Sequence, residues 1–146
     1  MSAPSAEMSP GPPFCPEEAE GIARVRSAML HRIAVHSTPQ HTTVRNGPEG
    51  WRRFMEGVYF KPLREDGGTL TYLLRMEPGA VVPAHRHAAD EECLVLEGDL
   101  HIEGELVLRP GDYHLARAGR LHAAVRTEAG ALLFLRGAQP QDSDFL

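Results

Sequence analysis

The stretch GAVVPAHRHAADEECLVLEG, residues 79–98, sets two histidines one residue apart and two adjacent carboxylates just behind them, inside an apolar run bounded by glycines. Side chains two residues apart on an extended strand leave from the same face, so His85 and His87 can converge on one ion. A lone His-x-His is weak evidence in a chain with eight histidines, and a solvent-facing strand end explains it equally well. Glu91 follows after Ala88, Ala89 and Asp90, a gap long enough for a tight connection, and Glu92 is its immediate rival. Further on, GDYHLARAGRLH, residues 111–122, returns the chain to His122 just after a turn. Three imidazoles and one carboxylate from separate strands can close on one point.

Outward from this segment the rhythm is that of short strands. From Trp51 onward, runs rich in Val, Leu, Tyr and Phe alternate with turn signals: EDGG at 65, EPG at 77, EGD at 97, EGE at 103, RPGD at 109, RAGR at 117 and EAG at 128. Seven turns imply about eight or nine antiparallel strands in a sandwich or barrel. Upstream, residues 1–15 are mostly Ser, Pro, Ala and Gly, which cannot bury enough apolar surface to offset chain entropy, and read as a disordered tail. Pro16, Glu17 and Glu18 look like a helix start, and Ile22, Val25, Met29 and Ile33 form one apolar stripe, predicting a helix over 16–34. Residues 35–50 read as a connection with one short strand near Thr42–Arg45, and 51–140 as the barrel.

With 146 residues the chain is the size of one domain, and its 42% hydrophobic and 24% charged residues are near globular averages. The net charge of -5 argues against nucleic acid or an anionic membrane as partner. Cys15 and Cys93 are too few and too far apart in sequence to read as a disulfide framework. No apolar run approaches the roughly 18 to 20 residues that span a bilayer, and the start lacks a secretory signal, so a cytoplasmic location is expected.

The two histidine segments resemble the motifs of the cupin superfamily. Gly79, His85, His87, Glu91 and Gly98 match its first motif, and Gly111, Gly119 and His122 match its second, where Arg117 and Arg126 replace the usual proline and asparagine. The resemblance implies an all-β fold, the cupin (RmlC-like) jelly-roll β-barrel, here with a short N-terminal helix. Its gap of six residues before Gly98 selects Glu91 as the metal-binding carboxylate. Strand alternation then sends Glu92 to the opposite face and puts Cys93 and Val95 on the Glu91 face, inside. Leu94 and Leu96 fall outside, where they need cover from a second copy or from the N-terminal helix. The departures at Arg117 and Arg126 put the rigidity of that loop in question.

A narrower resemblance, over about residues 50–136, is to the C-terminal cupin domain of ChrR-type anti-sigma factors. It rests on YLLRMEPGAVVPAHRHAADEECLVLEG, LVLRPGDYHLARAGRLH and GALLFL. It implies zinc held by His85, His87, Glu91 and His122 and a part in the response to oxidative stress. In that family the sigma factor is bound by a separate helical domain with a His-x3-Cys-x2-Cys motif, which this sequence lacks, so a ChrR-like cupin without a sigma-binding domain is expected.

The mixed nitrogen and oxygen donor set suits zinc, iron, manganese or nickel without choosing among them; the resemblance makes zinc the first expectation. A sensing or regulatory metal-binding module is the main expectation. A metal-dependent enzyme, most plausibly a dioxygenase acting on a β-diketone or flavonol-like substrate, is the alternative, and a small-ligand barrel comes third. A homodimer is expected, with a small molecule as possible barrel ligand. Cys93 reads as a small buried hydrophobe. His31, His36 and His41 share no helix face and read as solvated, as does His101; His114 is expected to lie outside rather than point inward. Tyr72, Tyr113 and Arg117 are possible cavity residues.

Overall fold

The computed structural model describes residues 20, 24, 35–37, 40–103 and 106–139. The tail expected over 1–15 lies outside them, as does the helix expected over 16–34 apart from Glu20 and Arg24. The chain divides into two compact units, 1–49 and 50–146. In the first, β1 (Val35–Ser37) pairs antiparallel with β2 (Thr42–Val44), so the short strand read near 42–45 is present and His36 lies in a strand of its own.

In the second unit four long strands form a wall. They are β4 (Val58–Asp66), β5 (Thr69–Met76), β8 (Glu91–Gly98) and β14 (Ala131–Ala138), flanked by β3 (Arg52–Met55) and β11 (Tyr113–Ala116). Their order is β11-β8-β14-β5-β4-β3, all antiparallel. The alternation that marks a sheet with one buried face is plain in β14, where Ala131, Leu133 and Leu135 are buried, Leu132 and Phe134 between them are half-buried, and Arg136 is exposed. A second sheet, β10-β9-β13-β6, is built from β6 (Val81–Val82), β9 (Leu100–Ile102), β10 (Leu106–Leu108) and β13 (Val125–Arg126). Between them lies one apolar core that includes Val58, Leu70, Tyr72, Val95, Leu100, Val125 and Leu133.

Turn chemistry fixes the registers. Asp66 pairs with Thr69 across Gly67 and Gly68, whose φ values of 56° and 81° suit the two-residue hairpin turn that needs both central residues left-handed. Gly98 has a further reason to be glycine. With φ at 79°, a Cβ there would come 1.8 Å from the Gly130 carbonyl oxygen, so no larger residue allows β8 to pass that turn.

The strand count differs from the eight or nine expected. Among the described residues the second unit has twelve segments, because the histidine-bearing stretches break into two-residue pieces. Two of these, β7 (His85–Arg86) and β12 (Leu121–His122), pair only with each other. Pro83, which has no N–H to give to a ladder, interrupts the run between β6 and β7. A turn at Glu56–Gly57 also divides β3 from β4, where the sequence offered a single glycine as its signal. Among the described residues no helix is long and apolar enough to cross a membrane.

Candidate metal centre

The short β7–β12 ladder sets His85 directly opposite His122. Their rings lie 5.1 Å apart between centroids and are nearly parallel at 24°. His87, one residue beyond β7, leaves from the same face as His85, and its ring is 4.6 Å from that of His85 and 5.6 Å from that of His122. Arg86 points the other way, is exposed, and donates to the Gly119 carbonyl at 3.0 Å. A backbone bond from Gly119 N–H to the His87 carbonyl, 2.9 Å, ties the two motif segments together.

Glu91 is the first residue of β8, and its side chain is 13% exposed. One carboxylate oxygen accepts the Tyr72 hydroxyl at 2.9 Å, and the other lies 3.8 Å from His87 Nδ1, beyond hydrogen-bond range. Burial pushes the Glu91 carboxyl up to about 7, and the Tyr72 hydrogen bond offsets part of that rise. Tyr72 itself is raised by burial and then by the neighbouring Glu91 charge. Room for this carboxylate comes from Gly137: a Cβ there would meet Glu91 atoms at 3.0 to 3.2 Å.

Two ring tautomers follow from backbone contacts, because a carbonyl only accepts. His85 Nδ1 donates to the Pro83 carbonyl at 2.7 Å, and His122 Nδ1 donates to the Ala123 carbonyl at 2.9 Å. With Nδ1 as the donor, the Nε2 atom of each ring is the one left to offer a lone pair, the arrangement a metal ligand needs. The His122 imidazole is held below its ordinary value, first by burial and also by His85 and His114, against the pull of the Ala123 carbonyl.

His114 corrects the sequence expectation. It is half-buried, lines the same cavity, and its Nε2 lies 3.2 Å from His122 Nε2. The reason is register: β11 pairs His114 with Cys93, and Cys93 shares the inward face of Glu91. His101 is also not a solvated surface group, since its Nε2 is 2.7 Å from Asp99 Oδ2 and the side chain is 21% exposed. Of the possible cavity residues, Tyr72 lines the cavity, whereas Tyr113 and Arg117 are exposed.

The rival carboxylate behaves as strand parity requires. Glu92 turns to the outer face, where it accepts from Arg136 and from the Tyr113 hydroxyl, both at 3.1 Å. Cys93 is buried inside, and burial followed by the Glu91 charge pushes its thiol up to about 12, which leaves it unreactive at neutral pH. The loop that departs from the second motif is held by other means. Asp90 accepts the Ala118 N–H at 2.8 Å and the Arg117 guanidinium at 3.0 Å, so the arginine standing where the motif has proline is clamped to the first motif's segment. Arg126, at the asparagine position, pairs with Glu128 at 3.0 Å.

Behind the imidazoles the barrel encloses a cavity of about 250 Å³. Its wall is mostly apolar, with Phe54, Phe60, Leu74, Ile102 and Leu135 among the lining residues, and His85, His87, Glu91, His114 and His122 also line it. Among the described residues, no three His, Cys, Asp or Glu side chains present their donor atoms as a finished cation cage. Ring placement is a separate test. An imidazole bound at about 2.0 to 2.1 Å puts its centroid about 3.2 Å from the ion, so two rings at angles of about 90 to 110° lie about 4.5 to 5.2 Å apart. The three separations of 4.6, 5.1 and 5.6 Å lie in or just beyond that range, so the ring spacing fits a shared cation although the donor atoms do not yet converge on one point.

Comparison with known proteins adds the following. A family described as ChrR cupin-like domain matches residues 39–140, more than half of the chain. Among curated proteins no match was found. Similar solved structures include an acetylacetone dioxygenase from Acinetobacter johnsonii, with 16% identity, a TM-score of 0.61 and coverage of 76% of this chain and 84% of that one. KdgF from a Halomonas species shares 20% identity at a TM-score of 0.58, over 67% of this chain and 94% of that one. The anti-sigma ChrR of Rhodobacter sphaeroides, solved in complex with SigE, shares 21% identity at a TM-score of 0.57, over 90% of this chain and 70% of that one. At these identities the likeness is one of fold.

Proposed function

The chain belongs to the ChrR cupin-like domain family, and from that premise we propose that it binds one divalent metal ion through His85, His87, Glu91 and His122 and works as a sensing or regulatory module. The observation that carries this reading is the gathering of three imidazoles within 5.6 Å of one another, two with Nδ1 committed to backbone carbonyls. Such fixing of the tautomer by an outer partner is how proteins orient ligating histidines. The nitrogen and oxygen donors of these four residues suit zinc, iron, manganese or nickel alike. When bound, the ion would supply a Lewis-acidic centre at the end of the cavity.

Metal analysis of the purified protein tests this reading. One ion per chain is expected, with most of it lost on replacing His85, His87 or His122 singly by Ala, and on Glu91→Ala but not Glu92→Ala. Equal losses from the two glutamate variants would refute the choice of carboxylate.

A second reading, a metal-dependent dioxygenase acting on a β-diketone or flavonol-like substrate, is favoured by the cavity of about 250 Å³ and its apolar wall, the setting in which small ligands are bound. Oxygen uptake by iron-loaded protein given such a panel would support it, and absence of uptake would leave the sensing reading. Either way we take the protein to act in the cytoplasm as a homodimer. Leu96, 39% exposed on the outer face, would then lie in the interface, and Leu96→Glu should sediment as a monomer.

A further inference from the structure

The position of His114 is not absorbed by the four-residue ligand set. Its ring stands 5.3 Å from that of His122 at 88°, and the two Nε2 atoms are 3.2 Å apart. With His122 Nδ1 carrying its proton to the Ala123 carbonyl, the His122 Nε2 lone pair accepts from His114 Nε2–H. Two nitrogen donors on one ion at about 2.0 to 2.1 Å, separated by about 90 to 110°, are themselves about 2.9 to 3.4 Å apart. The observed contact thus has the spacing of two ligands sharing a cation.

Resting on the metal-binding reading above, we propose that His114 is a further nitrogen ligand of the cation, entering through Nε2 beside His122 once its ring turns to the other tautomer and gives up the hydrogen bond. The strand register makes this a property of the fold. β11 holds His114 opposite Cys93, on the face of β8 from which Glu91 also projects, so the side chain starts from the cavity side of the sheet. Four imidazoles and a carboxylate make five protein donors, one more than the tetrahedral set that zinc prefers in closed sites. The site therefore favours an ion that accepts five or six ligands, such as iron, manganese, nickel or cobalt, over zinc.

Cobalt(II) loading of the full chain tests the proposal without any assay of activity. Wild-type protein should show the weak visible absorption of five- or six-coordinate cobalt. His114→Ala should bind cobalt about tenfold more weakly and show the stronger absorption of a four-coordinate ion. A variant with unchanged affinity and spectrum would overturn the assignment. Should the variant fold poorly, the wild-type protein with 15N-labelled histidine decides: four contact-shifted imidazole N–H resonances support the proposal, and three overturn it. Wild-type protein that takes up no cobalt would instead defeat the metal-binding reading itself, and this inference with it.

Discussion

The wall of four long strands and the two short histidine segments are held by different forces. In the wall, β5 and β14 pair over eight consecutive residues, and side chains such as Val95 and Leu133, 1% and 2% exposed, fill the space behind them. The histidine segments have ladders of only two residues. What positions them is a set of individual contacts: Gly119 N–H to the His87 carbonyl, Arg86 to the Gly119 carbonyl, and Asp90 to Ala118 and Arg117. Stability resides chiefly in the wall, and the placement of the three motif imidazoles in the short segments, so changes in each should have separable effects.

The largest expected effect is on the wall. Leu133→Ala should cost about 2 to 5 kcal/mol of stability, as large-to-small changes in cores do, while leaving one metal ion per folded chain; a variant that lost metal but kept its melting temperature would break the separation. Gly137→Ala crosses from one region to the other. Its new methyl would press on Glu91 from β14, so metal affinity should drop by about an order of magnitude with only a small shift in melting temperature, measured by competition titration and thermal unfolding.

A smaller effect is expected where a turn is held from the far end of the barrel. Asp99 accepts the Glu128 and Ala129 N–H groups, both at 3.1 Å, and these bonds with His101 hold its carboxyl below the usual 3.8. The folded state then binds fewer protons than the unfolded chain in the window below that value. Its contribution is complete above about 4 and fades as pH falls through the folded value. Asp99→Asn should therefore flatten the acid limb of the stability curve slightly and leave metal binding untouched, as chemical denaturation at several pH values would show.

How far these regions are legible in the sequence also differs between them. The inward set of Glu91, Cys93 and Val95, and the outward turn of Glu92, follow from the period of two along β8 and are read without knowing any partner strand. The pairing of His85 with His122 is suggested only by motif spacing, since nothing local says which strand β7 will meet. His114 departs from the sequence expectation for the same reason: its direction is set by the register of β11 on β8, a long-range property absent from the local pattern. Room for Glu91 at Gly137, 46 positions along the chain, was equally invisible, because a glycine without a positive φ gives no turn signal. The rigidity of the loop at Arg117 is likewise decided by a partner distant in sequence, Asp90.

The most direct test of the central claim is a crystal structure of cobalt-loaded protein with diffraction recorded at the cobalt absorption edge. The account predicts a single anomalous peak between the motif histidines, about 2.0 to 2.2 Å from nitrogen atoms of His85, His87 and His122. A peak elsewhere on the chain, or none beside those three rings, would contradict it.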